Sequence, residues 1–167
     1  MAMALIIDAY NVTRSDLPAA LGELSVARLC VLLSTSTWAR RGRVVVVCDG
    51  APTALGLLES PAAGVVLSYA GHGRKADDLI EKLVSAERSP SQCVVVTSDR
   101  KLRHRVKDAG GKTIKSAELV TELLEQHRHQ QQQKKFGSTR DNPAPAPAPR
   151  RLSEDQTRRW MREFGVE

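Results

Sequence analysis

The chain has 167 residues and a formal net charge of +6, with 25 Lys and Arg against 19 Asp and Glu. That length suits one domain of ordinary size with a substantial core, and no apolar run approaches the ~20 residues of a membrane-spanning helix. The basic balance favours an anionic partner, nucleic acid first, and it is uneven: residues 1–125 carry 16 Lys and Arg against 14 Asp and Glu, residues 126–167 carry 9 against 5.

The N-terminus has no basic start followed by a long apolar region, so no secretory signal is expected and a cytoplasmic location is. Cys30, Cys48 and Cys93 fall in apolar segments without metal-binding spacing, and read as small buried hydrophobes of a reducing compartment.

The first element is the apolar run Ala4 to Ile7, which stops at Asp8. Its length is that of a buried strand, and a strand buried on both faces is typical of a parallel sheet. After Asn11 and a loop containing Pro18, a long helix is expected from about Gly22 to Arg41, ended by Gly42. Its apolar middle and the position of Trp38 place Trp38 in the core. Arg43 to Cys48 is a second strand, β-branched and unbroken, ended by Asp49-Gly50. Gly64 to Tyr69 is a third, followed by a basic, glycine-containing loop, Ala70 to Lys75. Ala76 to Glu87 has Leu79, Ile80, Leu83 and Val84 at helical spacing, with Asp77 and Asp78 at its start.

Gln92 to Thr97 is a fourth strand, ended by Ser98-Asp99, and Arg100 to Ala109 a short helix ended by Gly110-Gly111. Lys112 to Ile114 is a brief fifth strand, and Ser116 is placed as the cap of a last core helix reaching about Gln126. Alternating strands and helices give an α/β class with a parallel sheet and right-handed crossovers. The domain is drawn over 1–127. Residues 128–151, rich in Gln and then in alternating Pro and Ala, read as a low-complexity linker, and 152–167 as a tethered amphipathic helix. There, Ser153 and Gln156 have capping-box spacing, and Trp160, Met161 and Phe164 share a side.

Asp8, Asp49, Asp77 with Asp78, and Asp99 each follow a different strand, and in a parallel sheet those ends share one edge, beyond which ligands bind. Carboxylates gathered there repel unless protonated or bridged by cations. Hard divalent ions prefer oxygen ligands, and a pair of them can activate water for phosphodiester hydrolysis. Helix starts also favour Asp as a cap, which suffices for Asp78 or Asp99 taken alone. Asp8 and Asp49 end apolar strands with no obvious helix at the next residue. Asn11 has two readings, a turn former or a holder of a metal-bound water or phosphate oxygen.

Arg100, Lys101, Arg103, Arg105 and Lys107 crowd one helix beside Asp99, with Leu102 and Val106 facing the core. Such a run is commonly a solvated face; beside an acid edge it becomes a candidate phosphate grip, joined by Arg74 and Lys75. His72, between glycines in the same loop, reads as exposed, with a general-acid role as the alternative. No phosphate-cradling GxxxxGK[ST], GxGxxG after the first strand or G-x-S-x-G elbow is present.

LIIDAYNV, CDG, KADDLIEKLV and VVVTSDRKL, in that order, resemble the motifs of the NYN-type, PIN-like nucleases, and more specifically the YacP-like bacterial branch. The similarity runs from Ala4 to about Leu124 and resumes at LSEDQTRRWMREFG. Ala9 stands where Gly is common in the family, and His72 to Lys75 is basic where relatives are often acidic or polar. The resemblance implies a PIN-like Rossmannoid three-layer fold with a central parallel sheet. It also implies a metal-dependent endoribonuclease using Mg²⁺ or Mn²⁺ on single-stranded RNA, with RNA and the ribosome as partners. Carried over by motif, the site is Asp8, Asn11, Asp77 and Asp99, with Asp49 and Asp78 as further metal ligands. The alternatives are an RNA- or ribosome-binding adaptor with little turnover, and a structure-specific DNA nuclease.

Overall fold

A computed structural model describes residues 3–15, 23–52 and 59–138, with side chains through Lys134. The chain divides into two compact units, Met1–Gln130 and Gln131–Glu167. In the first unit, β1 (Met3–Asp8) leads into α1 (Ala9–Thr13). Next come α2 (Val26–Ser34), α3 (Thr37–Arg41), β2 (Gly42–Cys48), β3 (Val65–Tyr69) and α4 (Ala76–Ala86). A 3₁₀ turn at Pro90–Gln92 precedes β4 (Cys93–Val96), α5 (Arg100–Asp108), β5 (Lys112–Ile114) and α6 (Ser116–Ser138), whose residues from Gln131 on are counted with the second unit.

The sheet has five strands in the order β3-β2-β1-β4-β5, all parallel. Period-two alternation splits its side chains between two cores. Leu5, Ile7, Val44, Val46, Val94 and Val96 face one, packed with residues of α1, α2 and α6. Ala4, Ile6, Val45, Val47, Cys93 and Val95 face the other, packed with α4 and α5. Both faces of β1, β2 and β4 are therefore covered, which is why these strands read as continuous apolar runs; β3, at the sheet edge, leaves Val66 exposed. By the same parity Asp8 and Thr97 end their strands on the α4/α5 side.

The single helix expected from Gly22 to Arg41 is broken, within the described residues, into α2 and α3. Ser34 Oγ donates to the Val31 carbonyl, Thr35 Oγ1 to Leu32 and Ser36 Oγ to Leu33. Such hydroxyl-to-backbone bonds compete with the helical ladder, and a run of four Ser and Thr ends it. Trp38 is partly buried against the first core. No loop separates α3 from β2: Gly42 pairs with Met3, and a Cβ there would lie 1.8 Å from the Met3 carbonyl oxygen, so the strands' close approach demands glycine.

α6 runs to Ser138 rather than ending near Gln126. The Gln, Arg and Lys of that stretch are good helix formers, and the first proline beyond it is Pro143. Among the described residues no helix is long and apolar enough to cross a membrane. The Pro/Ala-rich stretch and the expected C-terminal helix lie outside the described residues.

Candidate active site

The strand order reverses direction between β1 and β4, whose connections leave to opposite sides of the sheet. Beyond the carboxyl ends of these two strands lies the crevice where open α/β sheets bind ligands. Asp8 ends β1 there and is 5% exposed. A short helix does begin at the next residue: Asp8 is the N-cap of α1, its Oδ1 accepting from the Asn11 N–H at 3.1 Å. Thr97, buried at the end of β4, donates from Oγ1 to Asp8 Oδ2 at 3.3 Å. Burial pushes the Asp8 carboxyl up from 3.8 to about 6, against the Asn11 N–H and with the charge of Asp77 adding; the Thr97 hydroxyl opposes the rise and Asp49 adds to it.

Asp49 reaches the same edge through a loop clasp. Gly50, at φ +65°, a left-handed conformation that favours glycine, donates from N to the Arg74 carbonyl, and Gly71 N donates to the Gly50 carbonyl. The clasp brings Asp49 to the start of α4, where its Oδ1 accepts from Ala76 N at 2.7 Å. α4 has no side-chain cap from its own N-cap residue, Lys75; Asp49 supplies the acceptor from across the loop. Asp77, the second residue of α4, is half-buried. Its carboxyl is raised by burial and then by the charge of Asp99; Arg105 pulls the other way, and Asp49 and Asp78 add. Asp99 is the N-cap of α5, Oδ1 accepting from Lys101 N at 2.7 Å and Leu102 N at 3.1 Å. Asp8, Asp49, Asp77 and Asp99 thus lie within electrostatic reach of one another in a chain of mutual repulsions, with Asp77 at its middle.

Asp78 faces a different partner. Arg105 Nη2 donates to Asp78 Oδ1 at 3.1 Å and also to Glu81. The pairing partly offsets the acid next to the cluster and occupies one of the basic residues expected to grip phosphate. Arg103 leans on Thr113, Nε to Oγ1 at 3.4 Å. Arg74, Lys75, Arg100 and Lys101 are exposed and make no ion pair among the described residues. His72 is exposed.

Asn11 is a strut. Its Oδ1 accepts from Ser98 N and from Ser116 Oγ, both at 2.8 Å, so both lone pairs of the amide oxygen are engaged and only its NH₂ group is left to meet a ligand. Ser116 is buried and does not cap α6 with its side chain. Lys115 stands at the cap position, its N–H bonded to Glu118 Oε2 and its carbonyl accepting from Glu118 and Leu119. Thr97 and Ser116 are the site residues that sequence reasoning missed. The signal for Thr97 was a hydroxyl ending an apolar strand level with Asp8; Ser116 gave none, since its bond to Asn11 spans 105 positions.

Among the described residues, no three His, Cys, Asp or Glu side chains stand close enough to hold a metal ion between them. The donors at the edge are all carboxylate oxygens. They suit Mg²⁺ or Mn²⁺ held by one or two carboxylates with water completing the shell, the usual manner of Mg²⁺ binding, and not an all-protein cage.

Comparison with known proteins bears on the fold and the family. No curated protein matches the sequence significantly. In structure the chain is similar to Rae1 (YacP) from Bacillus subtilis, with 20% identity, a TM-score of 0.65 and coverage of 99% of this chain and 95% of that one. It is also similar to a tryptophan-to-leucine mutant of the same protein, with 22% identity, a TM-score of 0.62 and coverage of 83% and 85%. These likenesses establish the PIN-like fold. The model of the YacP-like NYN domain matches residues 5–164, so the chain belongs to the YacP-like NYN domain family, whose members are generally nucleases.

Proposed function

We propose that the protein is a metal-dependent endoribonuclease that hydrolyses phosphodiester bonds of single-stranded RNA, free or on the ribosome, in the cytoplasm. The observation that carries the reading is a buried carboxyl, Asp8, standing within a group of acids at the strand-order reversal. Burying a carboxylate among like charges is costly, and a bound divalent cation would offset that cost. Asp8 and Asp77 would hold the ion, with Asp99 and Asp49 able to bind through their second oxygens or through water. When bound, Mg²⁺ or Mn²⁺ supplies positive charge to the phosphate and activates water.

The chain's own residues do the rest. Thr97 and the Asn11 N–H hold Asp8 in one orientation. The Asn11 NH₂ group donates to a phosphate oxygen. Arg74, Lys75, Arg100 and Lys101 hold the RNA backbone as exposed cations around the edge. Single-stranded RNA is expected to be cut with Mg²⁺ or Mn²⁺ and left intact in EDTA or by Asp8→Asn. Full cleavage in EDTA, or by Asp8→Asn, would remove the metal from the reading. One observation favours a second reading, an RNA- or ribosome-binding adaptor: no three carboxylates are close enough to form a metal cage. RNA binding without cleavage under any divalent ion would select it.

A further inference from the structure

Tyr10 is 53% exposed and is the one exposed Phe, Tyr or Trp among the described side chains. A single exposed apolar residue is ordinary in itself. Tyr10 is set apart by where it stands and by what holds it. It lies between Asp8 and Asn11 on α1, at the mouth of the crevice. The buried residues of that helix are Ala9 and Val12, so Tyr10 and Arg14, one turn apart, share the outward side. The Arg14 guanidinium carbon sits 4.3 Å from the centroid of the Tyr10 ring, within the ~6 Å range of a cation–π contact. Arg14 lies over one face of the ring, and the residue as a whole keeps about half of its surface in solvent.

We propose that Tyr10, backed by Arg14, is a stacking platform for an unpaired nucleobase of the RNA strand whose phosphate lies at the acid edge. The inference rests on the RNA nuclease reading and adds a residue that selects the form of the substrate. A nucleobase offers a flat π face, and stacking on an aromatic ring tolerates any base. In a duplex both faces of each base are already stacked on neighbours, so a platform at the cleavage edge favours single strands and loops. Arg14 holds the ring in place before RNA arrives, and its cationic fork can also meet a neighbouring phosphate.

The test uses the full chain in EDTA, so that binding is read without cleavage. The probe is a single-stranded oligoribonucleotide carrying one 2-aminopurine, moved along the sequence. At one position its fluorescence is expected to be quenched by wild type and by Tyr10→Phe, which keeps the ring, but not by Tyr10→Ala. Tyr10→Ala should bind the oligonucleotide roughly five- to a hundredfold more weakly. An abasic site at that position should weaken wild type to the same level and leave no further loss in Tyr10→Ala. Equal weakening on intact and abasic RNA would make Tyr10 a structural or protein-contact residue and overturn the proposal. So would unchanged binding by Tyr10→Ala; if wild type still cuts RNA with Mn²⁺, that result overturns the platform and leaves the nuclease reading standing. A wild type that neither binds nor cuts the oligonucleotide overturns both.

Discussion

Asp77 and Asp78 are neighbours in the chain and at the start of one helix, yet they belong to opposite electrostatic regions. Asp77 stands among acids: its carboxyl is raised by burial and by Asp99, with Asp49 and Asp78 adding, and Arg105 offsets only part of this. Asp78, mostly exposed, pairs with Arg105 alongside Glu81. One region collects like charges without neutralising them among its own members, and the other sets its acids against a shared arginine at the surface. Exposed ion pairs contribute about 0–1 kcal/mol. A cluster of repelling acids costs stability in the free protein, and that cost has a function if a cation relieves it.

The comparison can be broken most sharply by activity. Asp77→Asn is expected to lower the rate of RNA cleavage by about a thousandfold, the upper scale for losing one group that stabilises developing charge. Asp78→Asn is expected to stay within a few-fold of wild type, the range of an exposed ion pair. Single-turnover cleavage of a short RNA with Mn²⁺ measures both, and equal losses would place Asp78 in the site.

The next effect is on stability against pH in the metal-free protein. Unfolded, Asp8 loses its proton near 3.8; folded, it keeps it to about 6. Between these values the folded state binds more protons, so stability falls as pH rises through the window, the full penalty being present above about 6 and absent below about 4. The expected penalty is on the order of 3 kcal/mol. Urea midpoints measured across the window in EDTA should show wild type losing stability relative to Asp8→Asn. Parallel curves would mean that Asp8 ionises as easily folded as unfolded.

Slightly smaller is the effect of the ion itself. Binding to the folded state alone adds about 2.7 kcal/mol at a hundredfold excess over Kd. Mg²⁺ or Mn²⁺ should therefore raise the Tm of wild type and of Asp78→Asn, but not of the Asp8→Asn, Asp77→Asn double variant. An equal rise in all three proteins would put the ions elsewhere.

The strands were legible because burial on both faces leaves an unmistakable apolar run, as in Arg43 to Cys48. The brief Lys112–Ile114 strand was legible as the stretch that follows the Gly110-Gly111 end of α5. The break between α2 and α3 was not read, although its cause is local: four hydroxyl residues in a row offer bonds that end the helical ladder. α1 was missed for another reason. A helix of five residues is too short for periodicity to reveal, and its cap, Asp8, is at the same time the last residue of β1.

What the sequence determined alone is the alternation of strand and helix, the two faces of each strand by parity, and the arrival of an acid after each of four strands. Apolar spacing and capping chemistry are local properties, readable within a few residues. Which acids would meet was decided by the tertiary structure. Asp8 depends on Thr97 across the β1/β4 pairing, Asp49 on a clasp to the loop before α4, and Asn11 on Ser98 and Ser116. Asp77 and Asp78 part because successive helical residues point about 100° apart, one toward the sheet edge and the other toward Arg105 on α5. The direction of a side chain and the identity of its distant neighbour are set only when the elements pack, and that is where the charge pattern of this site is fixed.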